Sequence, residues 1–404
     1  MFSSTTKSRL GKLAFLPILA MLSIVLVTGC TSPPVMGWSG PAFSEGVAYV
    51  GTIRGTFLAL SNLAINRPHV EWEQKFNPAQ AGSPLACGGR ISRAMATYGT
   101  PAVAGDRIYI ADYEGYIYSF ALDGSVKDEY TGANIVASPL IADNTIFIGN
   151  TDGEFFALDL QLNEKWDARF KAGDKIWGTA AFHDGVVYFG SSDHKLYAID
   201  ADTGKEIWHF SAEGPITSTP TIASGYVYIG ANDRKFYAIE TATEAERAEA
   251  AQRAEGEPAP LREATQVFTH AENWFWTQAL VYDGRIWVGS LDGNVYAINE
   301  NDFDDYKVVC QTNGMIQTPP VLMEELGLIF VGSEDGGVYS IDPHGGTNTS
   351  NQLADLNAPV LAPMCVDQQT GVLYIHAQDG THTLYAVDAR TGDTLGSYPT
   401  SGEE

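Results

Sequence analysis

Gly185-Val186-Val187-Tyr188-Phe189-Gly190, then Ser191 to His194, then Lys195-Leu196-Tyr197-Ala198-Ile199-Asp200, is a strand, a polar turn and a second strand. The flanks alternate with the period of a pleated strand, and Asp193-His194 supplies the turn chemistry. The phrase returns about eight times from Pro41 onward. Anchored on one residue of its second strand, the copies stand at Leu58, Tyr118, Phe156, Tyr197, Tyr237, Tyr296, Tyr339 and Tyr385. Five of the seven separations run from 38 to 46 residues, close to the roughly 40–45 of a four-stranded propeller blade. Such units bury their faces only against neighbours, so the repeat sets the architecture. The expected fold is all-β, an eight-bladed β-propeller of four-stranded antiparallel blades over residues 37–404. The two long separations contain insertions, 77–99 and 241–265, that lengthen blades without adding any.

Each copy opens on small residues: Thr100-Pro101, Ser138-Pro139, Thr179-Ala180, Thr219-Pro220, Thr277-Gln278 and Thr318-Pro319. These are expected to form the innermost strands, where blades crowd the axis and an edge tolerates proline. An alternating strand such as Tyr226-Val227-Tyr228-Ile229 follows, then a hairpin on Asp152-Gly153, Asp193-His194, Asp233-Arg234, Asp292-Gly293 or Asp335-Gly336. One copy continues Ala198-Ile199-Asp200-Ala201-Asp202-Thr203-Gly204-Lys205-Glu206-Ile207-Trp208. That phrase resembles the tryptophan-docking repeat of pyrroloquinoline-quinone (PQQ)-type β-propellers, which implies a structural docking role for Trp208. Trp72 and Trp166 keep the tryptophan with altered spacing, whereas the last copy has Gly396 in its place. Residues 392–399 can supply the outer strand of the last blade.

The first 29 residues hold Lys7, Arg9 and Lys12 but no acid, and an apolar run from Leu13 to Val27 follows them. Its length suits a secretory signal better than a membrane span. The run ends Val27-Thr28-Gly29-Cys30, which resembles a bacterial lipobox. The resemblance implies a signal peptide over 1–29, a lipid anchor on Cys30 and a short tether over 30–36. Thr31, where an Asp would resemble a retention signal, implies the periplasmic face of the outer membrane in a diderm. In a monoderm the anchor would lie on the outer face of the plasma membrane.

The chain carries 49 acids against 24 Lys and Arg, a formal charge of −25. Such a body repels phosphate backbones and anionic headgroups, which argues against nucleic-acid binding. Membrane attachment is therefore expected through the N-terminal lipid alone, on a monomeric propeller. Beyond Cys30, three cysteines remain, Cys87, Cys310 and Cys365, an odd number for pairing; an essential disulfide is not expected. The insertion over 241–265 is rich in Ala, Glu and Arg and has almost no apolar face, the composition of a short solvated helix or mobile loop off blade 5, with a docking element for a partner as the alternative. The other insertion carries Arg90 and Arg93, two positive charges on an acidic body suited to a carboxylated ligand or a partner's acidic patch, with pairing to local acids as the structural alternative.

No catalytic constellation assembles. The eight histidines lack zinc spacing, and there is neither a nucleophile elbow nor a phosphate loop. The hairpin aspartates recur once per repeat, so they serve the shared fold. Quinoprotein dehydrogenases share the repeat, but that resemblance would also imply an adjacent Cys-Cys pair and a calcium set, and no two cysteines are adjacent here. No cofactor and no metal are expected, and the chain reads as a non-enzyme. The lipobox, the eight repeats and the length together resemble the BamB-type lipoproteins of outer-membrane β-barrel assembly. That implies a lipid-anchored extracytoplasmic scaffold binding envelope protein partners. A rival reading takes Asn273-Trp274-Phe275-Trp276-Thr277, with Trp177 and Tyr98 at corresponding places, as an aromatic channel mouth for a ligand. Blade packing is the structural alternative for those rings, and a divergent quinoprotein dehydrogenase is the remaining rival.

Overall fold

Aromatic residues on one strand of each copy face a small residue on the next, and this register repeats in all eight sheets. Tyr49 stands opposite Ala59, Tyr109 opposite Ser119, Phe147 opposite Ala157 and Tyr188 opposite Ala198. Tyr228 meets Ala238, Trp287 meets Ala297, Phe330 meets Ser340 and Tyr374 meets Ala386. The small partner leaves room for the ring, so the aromatic side chains become the packing between blades.

The computed structural model describes residues 39–51, 56–65, 68–75, 97–132, 134–254, 256–347, 349–377 and 384–399. They form an eight-bladed β-propeller of antiparallel sheets. Blade 1 runs from Ala42–Ser44 to His69–Lys75, blade 2 from Ala102–Ala104 to Val126–Thr131, and blade 3 from Leu140–Ala142 to Phe170–Lys171. Blade 4 runs from Ala181–His183 to Glu206–Ser211, blade 5 from Thr221–Ala223 to Gln266–Phe268, and blade 6 from Leu280–Tyr282 to Asp302–Gln311. Blades 7 and 8 run from Val321–Met323 to Ser350–Asp355 and from Cys365–Asp367 to Thr394–Tyr398. The last blade thus supplies its own outer strand, within the stretch expected from the sequence. Blades 8 and 1 close the ring through a shared core of Val50, Leu58, Tyr374 and Leu384. Phe43 stacks on Tyr374 at 4.6 Å, and His376 Nδ1–H donates to the Ser39 carbonyl at 2.6 Å.

The innermost strands begin later than the small-residue phrases. Residues 102–104, 140–142, 181–183 and 221–223 pair as strands, and Thr100-Pro101, Ser138-Pro139, Thr179-Ala180 and Thr219-Pro220 lead into them. Their hydroxyls link blade to blade around the hub. Thr100 N–H donates to Ser138 Oγ at 2.8 Å, Ser138 N–H to Thr179 Oγ1 at 3.1 Å, and Thr179 N–H to Thr219 Oγ1 at 3.2 Å. Proline is tolerated here because these bonds run between blades and use side-chain acceptors.

A second device recurs one turn away. The second strand of most blades ends on glycine, and a buried residue entering the next blade fills the space above it: Ile176 on Gly149, Ile216 on Gly190, Phe275 on Gly230, Ile316 on Gly289 and Val360 on Gly332. Any Cβ at these glycines would collide with that side chain.

The insertion over 241–265 differs from expectation. It is neither a free helix nor a loose loop. A helix at Glu244–Gln252 starts with a capping box between Thr243 and Glu246, and Leu261–Arg262 pairs parallel to the outer strand of blade 4. Blade 4 is therefore five-stranded. Arg247 pairs with Asp200 and Asp202, Arg253 donates to the carbonyls of Glu206 and Ile207, and Arg262 pairs with Glu246. An apolar face is almost absent, as its composition implied, and charged side chains dock the segment instead. Cys310 lies in the outer strand of blade 6 and Cys365 in the inner strand of blade 8, both as free thiols. Cys30, Cys87, the tether, Arg90 and Arg93 lie outside the described residues.

Candidate interaction surface

The three docking tryptophans have different surroundings. Trp72 of blade 1 donates from Nε1 to the Leu122 carbonyl of blade 2 at 2.7 Å, and a Cβ on Gly124 would come within 2.6 Å of its ring. Trp166 of blade 3 donates to Ala201 O of blade 4 at 2.9 Å and lies on Gly204 in the same way. Gly204 has φ +73°, the left-handed region that glycine enters freely. Trp208, which carries the most complete repeat phrase, has no such receiver. Residues 241–265 replace the turn it would meet on blade 5, Arg262 stacks over its ring at 4.8 Å, and its buried Nε1 is left without a hydrogen-bond partner.

The carbonyl just after the third strand is the common acceptor. Leu122 and Ala201 take tryptophan N–H groups, Leu160 takes the Tyr109 hydroxyl at 3.0 Å, Thr241 takes Arg262 at 3.2 Å and Glu300 takes Gln266 at 2.9 Å. Blades that lack tryptophan therefore keep its polar contact with another donor, a substitution that matching the tryptophan phrase alone does not detect.

The hairpin aspartates are absorbed by the fold. Asp193, Asp233, Asp292 and Asp335 each accept the hydroxyl of the tyrosine four residues on, Tyr197, Tyr237, Tyr296 and Tyr339, at 2.5–2.8 Å. Each also accepts a backbone N–H from the incoming interblade loop, as from Gly173 to Asp193 at 2.7 Å and from Asn313 to Asp335 at 2.9 Å. Burial opposes ionisation of Asp335, but bonds from Gly337, Tyr339 and Asn313 outweigh it and lower its pKa. Burial and the facing carboxylates push the four tyrosine pKa values up.

The aromatic candidates share one rim but do not form a box. Tyr98, Trp177 and Trp276 occupy one repeat position, half-buried in the segments entering blades 2, 4 and 6. Tyr98 packs edge-on against Tyr113 at 5.5 Å. Thr217 and Gln317 hold that position in blades 5 and 7. Phe275 between the two blade 6 tryptophans is the buried knob on Gly230. Trp274 falls at the position of Lys175 and is 43% exposed. Among the described residues no ring pairing joins Trp177, Trp274 and Trp276.

Residues 163–302 match the family described as outer membrane protein assembly factor BamB. The chain is a BamB-like PQQ-repeat β-propeller. A BamB of Bordetella pertussis is 28% identical over 117 residues, covering 28% of this chain and 30% of the relative. Quinoprotein alcohol dehydrogenase PedH of Pseudomonas putida is 34% identical over 80 residues, covering 18% of this chain and 13% of that enzyme. The chain thus aligns with less than a third of either relative's length. Two solved structures share the fold across most of the BamB-like chain. BamB from Moraxella catarrhalis superposes with a TM-score of 0.62 at 15% identity, covering 86% of this chain and 93% of its own. The computationally designed Ika8 protein gives 0.66 at 14%, covering 87% and 96%.

Among the described residues no group of His, Cys, Asp and Glu could hold a metal ion. The described cysteines stand in blades 6 and 8 and cannot form the paired-thiol wall expected of a quinone pocket.

Proposed function

We propose that the chain is a non-enzymatic scaffold of the cell envelope, lipid-anchored through Cys30, that binds protein partners in outer-membrane protein assembly. The repeat supports this reading most directly. The residues that recur in it, the turn aspartates and anchor tyrosines, are bonded to one another and to neighbouring loops, which leaves surface loops and edges to do the work. The match to the BamB family over residues 163–302 points the same way. A location on the periplasmic face of the outer membrane follows from the lipobox reading together with that match.

The test is capture of the anchored protein from solubilised envelopes, followed by mass spectrometry. Recovery of outer-membrane barrel machinery at near-stoichiometric yield is expected. Recovery of lipid alone overturns the scaffold. The match to PedH keeps a redox reading in view. Titration with PQQ and calcium decides it, and saturable binding of the quinone would replace the scaffold by an enzyme.

A further inference from the structure

Among the described residues, the rim formed by the second hairpins of blades 2 to 7 follows one plan, and it departs from that plan in two adjacent places. The residue after the turn acid, Glu114 in blade 2 and an aspartate in blades 3 to 7, has positive φ. In blades 2, 3, 6 and 7 it is glycine, at Gly115, Gly153, Gly293 and Gly336, with φ from +79° to +97°. In blades 4 and 5 it is His194, φ +73°, and Arg234, φ +70°. A bulky side chain is unfavourable in that region, whereas glycine enters it without cost. Strained positions of this kind concentrate where a side chain is used. Both side chains are exposed, and neither has a partner among the described residues.

Two further groups continue the same arc. The interblade loops are tied to the hairpins by backbone bonds, Ser192 N–H to Lys175 O at 2.8 Å and Leu291 N–H to Trp274 O at 2.9 Å. Lys175 and Trp274 therefore lie on this rim on either side of His194 and Arg234. Their side chains are exposed and also have no partner among the described residues. The acids of the arc are largely consumed. Asp193, Asp233 and Asp292 are held in the turns, and Glu213 pairs with Lys235; Asp174 and Glu272 remain. On a chain of charge −25, cations without a partner on the same rim as an exposed indole are an exception that needs a reason.

We propose that Lys175, His194, Arg234 and Trp274 form the docking site for an acidic segment of a partner protein that also carries apolar side chains. Carboxylates meet Lys175 and Arg234, and an apolar side chain covers Trp274. Arg presents a planar fork suited to a carboxylate, and rim charges of opposite sign chiefly set encounter rate and partner choice. An anionic membrane fits less well. A flat sheet of phosphates would also meet Asp152, Glu272, Glu334 and Glu114 on the same rim, whereas a narrow segment avoids them. The inference rests on the scaffold reading and names the partner's chemistry.

The test uses the full chain and a short labelled peptide of alternating aspartate and leucine, read by fluorescence anisotropy. The expected result is saturable, salt-sensitive binding, weakened about fivefold to tenfold by Arg234→Gly with Lys175→Gly, and weakened also by Trp274→Ala. Glycine suits the +70° backbone at Arg234, and the melting midpoint of the double variant, measured at the salt concentration of the binding assay, separates a binding loss from misfolding. Unchanged affinity in the double variant overturns the proposal. So does equal binding of the peptide with lysine in place of aspartate, binding confined to phosphatidylglycerol vesicles, or self-association as the sole effect of these residues. None of those results bears on capture of assembly machinery from envelopes, so the scaffold reading stands or falls separately.

Discussion

Asp112 sits in blade 2 at the position held by Asn150, Ser191, Ser290 and Ser333 in other blades, and it is the ionisable member of that set. It is fully buried, Tyr116 N–H donates to its Oδ1 at 2.9 Å, and its Oδ2 has no partner. Burial raises its pKa to about 6, against which the backbone bonds from Tyr116 and Gly115 work. A folded pKa above the unfolded value of about 3.9 means that folding takes up a proton. The stabilisation from the protonated form is complete below about pH 4 and is lost as pH rises through about 6. Asp112→Asn should therefore raise stability at pH 8 by about 1–2 kcal/mol and have little effect at pH 4. Denaturant titrations at the two pH values check this, and an equal effect at both would refute it. The docking tryptophans give a second comparison at this scale. Trp166→Phe removes the bond to Ala201 O and leaves that carbonyl short of a donor, whereas Trp208→Phe removes an indole N–H that already lacks a partner. Both lose ring volume, so Trp166→Phe should cost about 1 kcal/mol more than Trp208→Phe. Equal costs would mean that the docking bond contributes nothing.

The insertion over 241–265 acts as an element of blade 4. It covers the outer edge of that blade with Leu261–Arg262, and Arg262 both caps Trp208 and donates to Thr241 O. Arg262→Ala breaks the cation–ring contact, the ion pair to Glu246 and the donor to blade 5 together. The expected outcome is a loss of about 1–2 kcal/mol and much faster tryptic cleavage at Arg247 and Arg253, since their helix would lose its anchor. Unaltered cleavage would show that the helix holds itself in place. The sequence made the strands legible because their alternation and the Asp-Gly turns are local signals. It hid the docking of the insertion, since Arg247, Arg253 and Arg262 look like solvated charges until the blade 4 carbonyls and acids are placed beside them. Trp208 misled for a related reason: the phrase around it is complete, but its receiving turn belongs to the next copy, where the insertion has replaced it. The rim site was visible in principle as Asp193-His194 and Asp233-Arg234 in place of Asp-Gly. Only the φ angles reveal that these two side chains occupy glycine positions.

Across the whole molecule, strand direction alternates, so the first hairpins and the last turns of the blades share one rim and the second hairpins share the other. The first rim is acidic. Glu45, Asp106, Asp143, Asp184 and Asp283 stand exposed at its hairpins. Several cations near it are committed to local pairs, Arg107 to Asp128, Arg247 to Asp200, Arg285 to Asp305 and Arg390 to Glu325. The second rim carries exposed acids too, Glu114, Asp152, Glu272 and Glu334, but its arc over blades 4 and 5 holds Lys175 and Arg234, which have no partner among the described residues. A local patch of this kind favours an acidic partner at that arc. The same excess of 49 acids over 24 bases acts against the closed ring, because every blade holds like charges near those of its neighbours. Salt screens that repulsion over about 10 Å at 0.1 M, while the surface ion pairs it also weakens are worth about 0–1 kcal/mol each. With carboxylates in such surplus, the repulsion outweighs the pairs. Raising sodium chloride from low to physiological strength and beyond should therefore raise the melting midpoint, by about 1 °C for each kcal/mol gained in a protein of this size. Arg234→Gly, which removes one of the few opposing charges, should make the rise steeper. A midpoint that falls with salt would show that the paired arginines, and not the surplus carboxylates, dominate the electrostatics of the ring.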